Sequence, residues 1–77
     1  MKFYSVKYKS DTRGIFDYVP YDNFKSSYGM FKHLTSEGFT YVKIIKYSSF
    51  IDRTLGKNGN DIVTFDIDQI TIDLTTI

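Results

Sequence analysis

The chain has 77 residues, a formal net charge of +1 and no cysteine. That length accommodates one domain, 1–77, which buries only about 60% of its unfolded surface. Disulfides and thiolate metal sites are excluded, a lone His removes imidazole clusters, and near-neutral charge argues against holding nucleic acid by bulk positive field.

Lys2 to Lys9 alternates, with Tyr4, Val6 and Tyr8 on one face and Ser5, Lys7 and Lys9 on the other. Turn chemistry follows at Ser10–Gly14, and Ile15 to Val19 resumes a strand, so the two runs predict a β-hairpin. Pro20 has no amide proton for a ladder and is expected to end the second strand.

Asp22 or Asn23 can cap a helix. Phe24, Tyr28, Phe31 and Leu34 recur at helical spacing and predict its buried stripe, while Lys25, Lys32, His33 and Ser36 fall outside it. Gly38 suits a left-handed C′ position, with Phe39 at C″ packing on Leu34 as in a Schellman motif. Gly29 lowers helix propensity and is read as a point of close approach to the sheet.

The remainder reads as one long bulged hairpin over about 39–76, turned by Asn58-Gly-Asn60. Val63, Phe65 and Ile67 are one residue out of phase with Ile70, Ile72 and Leu74, which a β-bulge at Asp68-Gln69 would absorb. Leu55 then faces Val63, Arg53 faces Phe65, Ile51 faces Ile67, Tyr47 faces Ile72 and Ile45 faces Leu74, forming one apolar wall. The expected fold is α+β: a small antiparallel sheet of order β-β-α-β-β with one helix on one face.

That register places Asp52 across from Asp66 with Asp68 beside them, and Asp73 across from Lys46. Like charges directly opposite destabilise a sheet. The acidic set Asp52, Asp66, Asp68 and Asp73 is therefore a candidate partner-binding patch, able to imitate a nucleic-acid backbone; a solvated, salt-screened face is the plainer account. Three Asp without a loop cage hold a divalent metal poorly, so no metal is expected.

The first hairpin offers a second candidate. Lys7, Tyr8, Lys9, Arg13, Tyr18 and Tyr21 interleave cations with rings, as single-stranded nucleic-acid binders do. An ordinary exposed hairpin looks similar, and no nucleic-acid fingerprint is present. His33 stands one turn before Glu37 without an activating context, and no phosphate loop, zinc motif or nucleophile elbow occurs. No enzymatic activity and no cofactor are expected.

Seven Phe and seven Tyr, with no Ala or Trp, give a large aromatic payload and leave some Tyr for the surface. The preference for Ile, Lys, Tyr, Phe and Asn is what A+T-rich codons produce, which suggests a low-GC bacterium or one of its phages. No apolar run reaches a membrane span, and the first residues are too charged for a signal peptide, so a cytoplasmic protein is expected. A partner subunit is the common staple left to so small a domain, and a homodimer is expected. These features together predict a non-enzymatic protein-binding module: a phage- or mobile-element-encoded inhibitor that occupies a host DNA-handling protein during host takeover. The alternative is a single-stranded nucleic-acid-binding module, whose affinity would fall steeply with salt.

Overall fold

The first strand made, β1 (Phe3–Lys9), becomes a central strand of the sheet. It pairs antiparallel with β2 (Phe16–Tyr21) on one side and β3 (Tyr41–Tyr47) on the other, and β4 (Asn60–Asp66) completes the order β2-β1-β3-β4. The computed structural model describes residues 2–10 and 14–68. Helix α1 (Phe24–Ser36) follows β2, and a second helix, α2 (Phe50–Leu55), lies between β3 and β4. The domain is α+β, with a four-stranded antiparallel sheet and two helices among the described residues.

The β1–β2 hairpin keeps its alternation. Tyr4 pairs with Tyr21, Val6 with Val19 and Lys9 with Phe16. Pro20 does not end β2: it sits inside the strand opposite Ser5. An edge strand tolerates this because a proline nitrogen directed outward costs no ladder bond.

Asn23 caps α1, its Oδ1 accepting from the Ser26 amide at 2.8 Å. The other end closes as the sequence suggests. Gly38 has φ +95°, its N–H donates to the Thr35 carbonyl, and the Phe39 N–H donates to the Leu34 carbonyl at 3.1 Å. The buried stripe, however, is rotated from the expected one. Ser27 and Leu34 are buried, Met30 and Phe31 are half-buried, and Phe24 and Tyr28 stand out at the helix flank, stacked at 5.6 Å. Buried Ser27 is satisfied within the helix, its hydroxyl donating to the Phe24 carbonyl at 2.7 Å. Its small side chain lets the helix close on the sheet. Gly29 does not serve that purpose, since a Cβ there would meet nothing within 4 Å.

Tyr4, Val6, Val42, Ile44 and Leu34 form the core between α1 and the sheet, with Tyr8, Tyr21, Met30, Phe31, Phe39 and Val63 packed around them.

The long hairpin is replaced by a strand–helix–strand passage. Ser49 takes an extended N-cap conformation and its hydroxyl accepts from the Asp52 amide, which starts α2. Gly56, at φ +68°, ends it. Asn58 does adopt the left-handed conformation, at φ 57°, in the link to β4 rather than in a hairpin turn. The pairing is consequently Val42 to Phe65 and Ile44 to Val63, and Lys46 faces Asn60. Ile45 and Tyr47 point to the opposite face from Val63 and Phe65. Ile51 and Leu55 are 67% and 61% exposed on α2, so the single apolar wall does not form. A bulge is present at a different place. Ile44 faces Val63 while Ile45 faces Asp61, leaving Ile62 as the extra residue. The positions expected beyond Asp68, from Gln69 to Leu74, lie outside the described residues.

Candidate functional site

The second face of the sheet, opposite α1, carries the exposed rings of Phe16 and Tyr18, apart from the Phe24–Tyr28 stack on the flank of α1. Alternation sends Phe3, Ser5, Lys7 and Lys9 of β1 to this face. The register adds Phe16, Tyr18 and Pro20 from β2, and Tyr41, Lys43, Ile45 and Tyr47 from β3. Helix α2 covers one end of this face. Phe50 meets Phe3 edge-on at 6.4 Å, and the Arg53 guanidinium lies over both rings, at 5.5 Å from Phe3 and 5.2 Å from Phe50.

Among the described residues no helix covers the other end. There Phe16 and Tyr41, from the two strands flanking β1, reach over Lys9 and meet edge-to-face at 5.2 Å. Lys7 lies in the next row, its Nζ 4.5 Å from the Phe16 ring centre and 5.6 Å from that of Tyr18. Lys43 lies beside it, 5.3 Å from the Tyr41 ring. Phe16 and Tyr18 remain 44% and 53% exposed, so their rings are available to a ligand.

The cations are not equivalent. Lys43 Nζ donates to Asp61 Oδ2 at 2.8 Å. That bond, aided by a second one to Tyr41, raises its pKa above the usual lysine value, so its charge is firmly held but locally committed. Lys7 is held only by ring faces among the contacts described. At the covered end, burial pushes the Tyr47 hydroxyl up, and Ser5 hydrogen-bonds to it. Tyr47 therefore stays a neutral donor and acceptor at ordinary pH.

The basic-aromatic set anticipated from the sequence is divided by the pleat. Lys7, Lys9 and Tyr18 lie on the open face. Tyr8 and Tyr21 turn to the α1 side and pack on the core, Tyr8 against Phe39 at 5.3 Å. Arg13 is outside the described residues. Phe16, Tyr41 and Lys43 were not in that set; the period of two puts Phe16 in phase with Tyr18, but only the β1–β3 register brings Tyr41 and Lys43 beside them.

Of the acidic set, Asp52 stands apart from Asp66 and Asp68. Asp66 faces Tyr41 at one end of β3, while Asp52 lies on α2 beyond the other end, roughly 20 Å away along a six-residue rise. Asp52 is tied locally, accepting from Ser48 Oγ at 3.3 Å and from Asn58 Nδ2 at 3.5 Å. Asp66 Oδ1 accepts from the Asp68 amide, and Asp68 is exposed. Asp73 is outside the described residues. The expected Asp52–Asp66 pairing is therefore wrong, because α2 removes residues 50–55 from the sheet.

His33 is exposed on α1. Among the described residues no group of three His, Cys, Asp or Glu is placed to hold a metal ion, and no helix is long and apolar enough to cross a membrane. Comparison with protein-family models, curated proteins and solved structures finds no match.

Proposed function

We propose that this chain is a non-enzymatic binding module that holds single-stranded nucleic acid on the open face of its sheet. Phe16, Tyr18 and Tyr41 supply stacking surfaces, and Lys7 and Lys9 supply phosphate contacts. The observation that carries the reading is the Phe16–Tyr41 ring pair spanning the central strand with Lys7 above Phe16. Base–aromatic stacking contributes about 1–3 kcal/mol per base. An exposed lysine over a ring contributes about 0.5–1 kcal/mol. A base therefore displaces the Lys7 ammonium from Phe16, and the released charge turns to the adjoining phosphate. This mode draws on rings more than on charge, which suits a chain of net charge +1.

The test is fluorescence anisotropy with short labelled oligonucleotides and the variants Phe16→Ala and Tyr41→Ala. Each is expected to weaken binding about tenfold, with the circular dichroism spectrum retained. Wild-type affinity in both variants, or no binding by the native chain, defeats the proposal.

A protein partner is the second reading, and the exposed Phe50, Ile51 and Leu55 on α2 favour it. Neither bases nor phosphates need such an apolar patch. Under this reading the chain is a phage- or mobile-element inhibitor seated on a host DNA-handling protein. Capture of one nuclease-resistant host partner by the native chain, lost in Ile51→Ser with Leu55→Ser, would select it.

A further inference from the structure

A groove opens between α2 and the β1–β2 hairpin where the open face meets the helix. One lobe has a volume of about 340 Å³, within the range of small-ligand sites. Tyr18 and Pro20 form one wall, Ser5 and Tyr47 reach the floor, and Arg53 and Thr54 form the opposite wall. Tyr18 belongs to both places, since its ring carries Lys7 on the platform and also lines the groove.

We propose that this groove is a base-selective subsite, taking one unpaired guanine from a strand that lies across Phe16 and Tyr18. The inference rests on the nucleic-acid reading above and adds sequence preference to it. Three features support it. Tyr18 and Pro20 offer a flat apolar wall, as an extruded base requires. Arg53 is set in place before any ligand arrives: its side chain is 11% exposed, and Nη1 is fixed to the Tyr21 carbonyl at 2.8 Å and to Asp22 at 3.0 Å. A guanidinium donates and never accepts, so it selects a base edge rich in acceptors. Guanine presents O6 and N7 side by side, the edge that arginine reads most often. On the floor, the hydroxyls of Ser5 and Tyr47 are bonded to one another and keep acceptor capacity toward a ligand. Thr54 lines the same wall as Arg53, and its hydroxyl already donates to the Phe50 carbonyl at 3.0 Å, so within the groove it can act only as an acceptor.

The experiment compares short oligodeoxyadenylates with and without one internal guanine, by anisotropy, for the native chain and two variants. Arg53→Lys keeps the charge but removes the planar fork. Thr54→Phe fills the groove from an exposed helix position and keeps the result interpretable should Arg53→Lys fail to fold. The native chain is expected to prefer the guanine strand about tenfold, and both variants should lose that preference while still binding oligodeoxyadenylate. Equal binding of the two strands by the native chain overturns the subsite and leaves the platform reading standing. A preference that survives Thr54→Phe also overturns it. Failure of every strand to bind removes the platform reading and this inference together.

Discussion

Arg53 Nη1 donates to the Tyr21 carbonyl at 2.8 Å across 32 residues of chain, tying the short helix α2 to the end of β2. The same group covers Phe3 and Phe50. Removing it leaves a part-buried carbonyl without that donor, at a cost of about 1–3 kcal/mol. Arg53→Ala is expected to lower the urea midpoint accordingly, with unchanged m-value. A loss below about 0.5 kcal/mol would mean that the helix is held by other contacts.

Gly59 and Gly29 predict opposite responses to alanine. A Cβ at Gly59 would stand 2.5 Å from Ile45 Cγ2 and 2.6 Å from Tyr47 Cε1, so Gly59→Ala forces two buried side chains to shift. It should cost about 1–3 kcal/mol, the usual range for overpacking. Gly29→Ala meets open space inside a helix and should stabilise by up to about 1 kcal/mol. Denaturation of the two variants in one buffer checks both signs.

Stability should fall on the alkaline side. The folded chain raises the pKa of Lys43, through its bond to Asp61, and of Tyr47, through burial. In both cases the folded state keeps its proton to higher pH than the unfolded chain. Each contribution is therefore complete below the unfolded value, about 10 for Tyr and about 10.4 for Lys, and is lost as pH rises through the folded value. Urea titrations from neutral pH upward should show a plateau and then a decline. Tyr47→Phe should postpone the onset if its packing is retained.

Salt dependence should be shallow rather than steep. Each phosphate contact on a single strand gives a slope of about −0.7 in log K against log salt. Lys43 is committed to Asp61, which among the described residues of the open face leaves Lys7 and Lys9 and a slope of about −1.4. Lys7→Gln should reduce the magnitude by about 0.7. A native slope beyond about −3 would place the binding on other cations.

Among the described residues β4 is an edge of the sheet, and Ile62, the bulged residue, stands exposed on it. Such an edge favours strand pairing with a second copy about a two-fold axis. We expect a dimer at high micromolar concentration by light scattering, converted to monomer by Ile62→Lys with the fold intact. A native monomer at that concentration removes the expectation.

The first hairpin and α1 were legible because their signals are local. The alternation of Tyr4, Val6 and Tyr8 and the Gly38–Phe39 cap each specify geometry within a few residues. Helix α2 was not read, although Ser49, Asp52 and Gly56 carry its start and stop. Ile51 and Leu55 also fit a strand period, and a six-residue helix with exposed apolar side chains shows no amphipathic pattern to oppose that reading. The open face was half legible: β1 and β2 supply Lys7, Phe16 and Tyr18 from one hairpin, whereas Tyr41 arrives through a register that only tertiary pairing fixes. The expected juxtaposition of Asp52 with Asp66 failed for the same reason, since one misassigned element moved Asp52 to the far end of the sheet.

The central place of β1 has a consequence during synthesis. One neighbour, β2, follows it closely, but β3 begins only at Tyr41. At roughly 5–20 residues per second, a nascent chain waits about 2–6 s between completing Lys9 and presenting Tyr41. Throughout that interval β1 has an unsatisfied side, and Tyr4, Val6 and Tyr8 have no cover until α1 is made. Lys7 and Lys9 interrupt the run at alternate positions, where charge hinders pairing with a stray strand. Replacing both lysines by apolar residues should therefore lower the soluble yield from cells, even where the purified domain remains stable.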